Sequence, residues 1–134
     1  MADTGRSIFA NGNIKPWTAI MLDTSVDNKA IQATANAQCL GIAQKGTRNA
    51  PWTPLDDGFC AIAGEMFEYY ADGEENVPAL LGGTVTTERR LKSDANGALI
   101  AITTDGDFQI AIARATGVAG DVIRVDVVRS QVAL

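Results

Sequence analysis

The residues of this 134-residue chain whose type and grouping suggest chemistry are its clustered carboxylates and its two thiols. There is no histidine, which removes Ser-His-Asp and Cys-His catalysis and the commonest metal ligand. The acids gather at Asp56-Asp57, Asp72-Glu74-Glu75 and Asp105-Asp107. Paired carboxylates can hydrolyse glycosides when they flank a cleft. Each of these groups instead adjoins a glycine (Gly58, Gly73 or Gly106), where aspartate serves turns by hydrogen bonding to its own backbone. Asp105-Gly106-Asp107 also lacks the spacing of a calcium loop. Cys39 stands in QCLGIA and Cys60 in FCAIAG. Both settings are apolar and strand-like, without the cationic neighbour that activates a thiol. Two inert buried thiols are expected, with a disulfide as the alternative. No CxxC, GxxxxGK[ST] or GxGxxG occurs, so zinc sites and phosphate cradles have no support. Such a chain is expected to be no enzyme and to need no metal or cofactor, which leaves surface and shape as its function.

The segments that build this surface read as short strands separated by Gly, Asp and Asn turns. Thr18–Asp23, Ala30–Ala33, Gln38–Gln44, Phe59–Ala63, Met66–Ala71, Thr84–Thr87, Arg90–Lys92, Ala98–Thr103 and Gln109–Arg114 have strand composition. In Gln38–Gln44, Leu40 and Ile42 are expected on one face, with Cys39, Gly41 and Ala43 on the other. In Asp121–Val128, Ile123, Val125 and Val127 form an apolar face opposite Val122, Arg124, Asp126 and Val128. Asn76–Gly82 is predicted to make one short helical turn, capped by Asn76 and ended by Gly82-Gly83. No long segment repeats every 3.6 residues. The expected fold is all-β: a small β-barrel or β-sandwich, tulip-like, with short connections.

Residues 1–16 show no periodicity and are expected to form a flexible, extended N-terminal arm, with residues 17–134 as a single β domain. Within the arm, Ile8-Phe9 is an apolar pair suited to ordering on a partner. Deleting residues 1–13 is accordingly expected to weaken binding and leave the domain folded. Trp52, between Pro51 and Pro54, is either folded onto the core or an exposed anchor. Trp17, Arg89 and Arg90 complete the candidate contact residues. A net charge of −5 disfavours nucleic acid and anionic membranes as partners, and 46% hydrophobic residues can fill a core without metal or disulfide staples. No secretory leader or stretch long enough to cross a bilayer is read from the sequence.

The chain also repeats itself. Ala30–Gln44 (AIQATANAQCLGIAQ) resembles Ala98–Arg114 (ALIAITTDGDFQIAIAR), with Leu40-Gly41-Ile42-Ala43-Gln44 falling on Ile110-Ala111-Ile112-Ala113-Arg114. Each copy follows another strand-like segment, Ala19–Asp23 and Gly83–Thr87.

The order of the glycine-based steps carries a resemblance. Cys39-Leu40-Gly41-Ile42-Ala43, Gly58-Phe59-Cys60-Ala61-Ile62-Ala63-Gly64, Pro78–Val85, Asn96-Gly97, Gln109–Ala115 and Gly120-Asp121-Val122-Ile123-Arg124-Val125 follow one another. This succession, from about Asn13 to Val128, resembles the capsid cement, or decoration, proteins of tailed bacteriophages. The chain departs from that pattern at Lys15-Pro16-Trp17, where a glycine step often precedes the first strand, and at Ala111, which replaces a glycine. The resemblance implies a β-barrel-like structural protein on the outer capsid surface of the virion, made in the host cytoplasm. It also implies a homotrimer that clamps neighbouring major capsid protein subunits. The rival expectation is a carbohydrate- or receptor-binding β module, for which Trp17, Trp52, Tyr69 and Tyr70 would supply the aromatic platform.

Overall fold

The computed structural model describes residues 6–25, 27–44, 60–103 and 107–131. The described residues form ten strands and no helix. They are β1 (Arg6–Ala10), β2 (Ala19–Leu22), β3 (Lys29–Gln32), β4 (Gly41–Ala43), β5 (Met66–Ala71), β6 (Val77–Leu80), β7 (Arg90–Ser93), β8 (Leu99–Ala101), β9 (Phe108–Ala113) and β10 (Val122–Gln131). The first five close a barrel in the order β1-β3-β2-β4-β5, and the second five form a sheet ordered β6-β10-β9-β7-β8.

These two orders are one topology used twice. In each half the first strand runs antiparallel to the fifth and meets the third in parallel. Ala10 pairs with Ala30 in the barrel, and Leu81 bridges to Leu99 in the second half. The registers coincide residue for residue. Ala19↔Ile42 and Ile20↔Gly41 in the first half become Arg90↔Ile112 and Leu91↔Ala111 in the second. The antiparallel bridge Ile14↔Ala61 becomes Val85↔Gly117. Gly64 and Gly120 both adopt positive φ (90° and 92°), and their N–H groups donate to Ala10 O and Leu81 O at 2.8 and 2.9 Å. Thus the repeat read over fifteen to seventeen residues extends to the whole described chain.

Four sequence expectations are corrected. Residues 6–16 are not a loose arm. Ser7, Ile8 and Phe9 pair with Glu68, Phe67 and Met66, so β1 closes the barrel. Deleting residues 1–13 would remove that strand and leave the edges of β3 and β5 without their partner. Asn76–Gly82 is not a helical turn: Val77–Leu80 pairs with β10, and Pro78 is tolerated because β6 lies at the end of the strand order. Leu40 and Ile42 do not share a face, because β4 begins only at Gly41 and the alternation does not reach back to Leu40. Leu40 packs against one core cluster and Ile42 belongs to the other. Thr84–Thr87 contributes a single bridge at Val85 rather than a strand.

Alternation along the strands feeds two cores. Ala10, Ile14, Ile20, Ala30, Ala43, Phe67 and Tyr69 fill the barrel. Their neighbours Ala19 and Ile42 point outward, with Met21 and Tyr70 packed alongside, and join the core of the second half around Leu81, Leu91, Leu99, Val125 and Val127. The outside of the barrel therefore completes the second core, as a period of two allows when both faces of a sheet are covered. As expected, Ile123, Val125 and Val127 face inward and Val122, Arg124 and Val128 outward.

Polar groups lock the halves together. Ala19 N donates to Gly97 O (2.8 Å), Leu80 N to Trp17 O (2.9 Å) and Asn36 N to Ser93 O (2.9 Å). The buried hydroxyl of Ser93 donates to Thr34 O at 2.6 Å and accepts from Ala37 N at 3.2 Å. Ser93→Ala removes both bonds at a half-buried seam, so a loss of about 1 kcal/mol in urea unfolding is expected. An unchanged midpoint would show that the seam does not need this hydroxyl.

Candidate functional site

The contact candidates do not converge. Ile8 is half-buried and packs against the barrel core. Phe9, on the opposite face of β1, is 44% exposed. Trp17 is half-buried and holds φ at 62°, an uncommon conformation for a bulky residue. This is the position where the resemblance places a glycine step, and its counterpart Glu88 also has positive φ (71°). Trp17 N donates to Ala43 O and Glu88 N to Ala113 O. Arg89 and Arg90 are exposed on the second half, with Arg89 Nη2 donating to Ile102 O at 3.1 Å. Trp52 lies outside the described residues, as do Asp56, Asp57 and Asp105.

The duplication shows a pattern that sequence reading missed. Phe9 and Met66 are cross-strand partners on the outside of the barrel, and Met66 is 57% exposed. Their counterparts Leu80 and Val122 are likewise partners on the second half, with Val122 44% exposed. Ile62 and Val118 hold equivalent places in the preceding turn, where each backbone N–H donates to the carboxylate three residues on, Glu65 or Asp121. Two apolar pairs thus survive at the same topological position although the halves share little sequence. Large apolar side chains left outside mark interaction surfaces when they cluster.

Local turn bonds are made by other acids than those the sequence singled out, while Asp72 accepts from the distant Arg129 N. Asp23 accepts from the Ser25 N–H and hydroxyl, and Asp94 from Asn96 N and Ala98 N. Asp107, buried, takes Lys92 Nζ at 2.8 Å. Burial works against the charge on Asp126, but bonds from Asn76 N–H and Arg114 outweigh it and hold its carboxyl below the usual carboxylate range. Among the described residues no group of His, Cys, Asp or Glu could hold a metal ion.

Cys39 and Cys60 are free and buried. Burial, helped by Glu65, pushes the Cys60 thiol up to about 11. Burial also raises Cys39, against smaller opposing effects of the Ser93 hydrogen bond and Arg129. Since the thiolate is the reactive form, neither should react with an aromatic disulfide at about pH 8 in the native state, and both should react in denaturant. Rapid native-state titration of either would contradict this burial. The same shift makes native stability fall as pH rises from the unfolded thiol range toward about 11, because only the unfolded chain releases the Cys60 proton early.

Tyr69 is buried and Tyr70 packs against the main core, so neither supplies the aromatic platform of the rival reading.

No known protein family and no curated protein matches the chain. A solved structure does share its fold. The head fiber gp8.5 N base in bacteriophage phi29 superposes with a TM-score of 0.69, covering 96% of this chain and 96% of that one at 12% sequence identity. The likeness spans both halves of the duplicated fold.

Proposed function

We propose that this chain is a non-catalytic structural protein of a bacteriophage head, a cement or decoration protein seated on the outer capsid surface. The observation that carries this reading is the full-length fold match to a head-fiber base. In this reading the partner is the major capsid protein, and the chain acts as a homotrimer that clamps neighbouring capsid subunits. The repeated apolar pairs support a clamp, because spanning two subunits takes two contact surfaces on one rigid body. A ligand that binds only the expanded shell stabilises that shell by mass action. Several weak contacts on one body reinforce each other through effective concentration.

The test is co-sedimentation with expanded heads of the cognate phage, with the thermal stability of the heads as a second readout. Binding and a raised disruption temperature are expected. Met66→Asp and Val122→Asp together should weaken binding by at least about tenfold while the free protein keeps its melting temperature. Failure of the wild-type chain to bind heads would overturn the reading. Binding that survives both substitutions would remove the apolar pairs from it. Light scattering of the free and bound protein reads the homotrimer separately.

A further inference from the structure

A cavity of about 280 Å³ opens where the two halves meet. Gln38 and Asp72 line it from the first half, and Phe108, Gln109, Arg129 and Ser130 from the second. Gln38 and Arg129 also border a neighbouring groove of about 540 Å³ along the connection between β3 and β4.

Three features show that the fold shapes this cavity. The pairing of β10 with β9 slips between Val127 and Ser130, so one extra residue bulges on β10 at Val128-Arg129. Bulges re-aim side chains, and this one sets Arg129 at the border of both hollows. The bulge is pinned from inside: Gln109, only 6% exposed, donates its Nε2 to Val128 O at 2.8 Å. That bond leaves Gln109 Oε1 as an acceptor without a protein donor among the described residues. Gln109 also lines the cavity, so this acceptor is one that a ligand there can use. Finally, Arg129 N–H donates to Asp72 Oδ1 at 2.8 Å. This backbone bond holds the carboxylate at the rim and leaves the guanidinium free of any protein carboxylate among the described residues.

The lining chemistry selects among ligands. One carboxylate and one guanidinium oppose each other, so a phosphate or other strong anion gains little net attraction. The β10 backbone next to the cavity is already occupied, with Val127 N donating to Glu74 O and Gly73 N to Val127 O, so an added peptide strand finds no free edge there. Amides, a carboxylate and a guanidinium around one phenyl ring suit a compact molecule whose hydroxyls both donate and accept. Such a molecule also has an apolar C–H face to lie on the Phe108 ring. The volume is near the lower end of small-ligand sites, roughly 300 Å³, which fits one sugar ring.

We propose that this cavity binds one hexose-sized unit of a glycan, with adjoining units running into the neighbouring groove. The site stands independently of the head-protein reading, since neither apolar pair takes part in it.

The test is titration of the ¹⁵N-labelled full chain with glucose, galactose, mannose and N-acetylglucosamine, together with a glycan array probed with the intact protein. At roughly millimolar sugar, shifts centred on the Gln38, Phe108 and Gln109 amides are expected. An array hit should weaken at least tenfold in Arg129→Ala and in Phe108→Ala. Arg129→Ala keeps the N–H that Asp72 needs, and Asp72→Asn keeps the Oδ1 acceptor, so both should fold even if Phe108→Ala does not. The proposal fails if no saccharide shifts these amides and none is captured on the array. It fails equally if captured glycans bind Arg129→Ala and Asp72→Asn as tightly as the wild type, or if shifts arise only elsewhere.

Discussion

Adding one methyl group at Gly41 should cost the fold about 3 kcal/mol, at the upper end of overpacking penalties, and lower its melting temperature by roughly 10 °C. A Cβ built there would come within 2.2 Å of Tyr70 O and 2.8 Å of the Tyr69 ring. The first obstacle is the backbone of β5, which cannot rotate away. Gly41 pairs with Ala71 and Ile20 across β4's two neighbours, so any shift would strain both ladders of a closed barrel. The internal control lies in the other half. Ala111 holds the same register between Leu91 and Val127 and already carries the methyl group. Ala111→Gly should cost only about 1 kcal/mol, as expected for losing a buried methyl and loosening the unfolded chain. Equal losses for Gly41→Ala and Ala111→Gly in guanidinium titration would contradict this account.

Leu91→Ala is expected to be as damaging, about 3 kcal/mol, for the opposite reason. Leu91 is 0% exposed in the middle of β7. Its cross-strand partners are Ala101 on β8 and Ala111 on β9. Neither alanine can swing into the hole, so most of the lost volume stays empty, and cavity volume adds to the transfer cost of the missing atoms. Leu91→Met, which keeps the volume, should lose less than half as much. Calorimetry of the pair separates a cavity from a lost contact. A Leu91→Ala penalty near 1 kcal/mol would mean that the second core relaxes more easily than its alanine neighbours suggest.

The duplication was partly legible, and its limits have a physical origin. Leu40–Gln44 and Ile110–Arg114 could be matched because β4 and β9 are the fourth strands of their halves and keep small residues against the same neighbours. The rest of the repeat was hidden by a change of surroundings. Ala19, Ile42 and Tyr70 face the second half, whereas their counterparts Arg90, Ile112 and Asp126 face outward. Ala19 against Arg90 and Tyr70 against Asp126 therefore set an uncharged residue of the seam against a charged one, although Ile42 and Ile112 stay alike. The first strand was missed because Arg6–Ala10 is short and its partners on β3 and β5 lie some twenty and sixty residues away in sequence. The segment of β6 looks helical from Asn76 and Gly82-Gly83, but pairing with β10 overrides that local signal. Of the acids read as turn formers, Asp72 and Asp107 instead bond to Arg129 N and Lys92 Nζ, partners too distant in sequence for local turn chemistry to reveal. The cavity was illegible, since it depends on a bulge that only the β9–β10 register reveals.

The outward row of Arg90, Ile112 and Asp126 decides whether this face of the second half can take a neighbour. Its equivalent in the first half is apolar and accepts a neighbour; here Asp126 bonds to Arg114 at 2.9 Å and Arg90 is open to solvent. Stacked modules behave as a one-dimensional array and stay soluble only when the terminal one is polar on its free side. Charge on this row keeps this face of the second half from forming the apolar seam that its equivalent forms in the first. Neutralising it with Arg90→Ala and Asp126→Tyr would restore the pattern of the covered side and invite open-ended filaments.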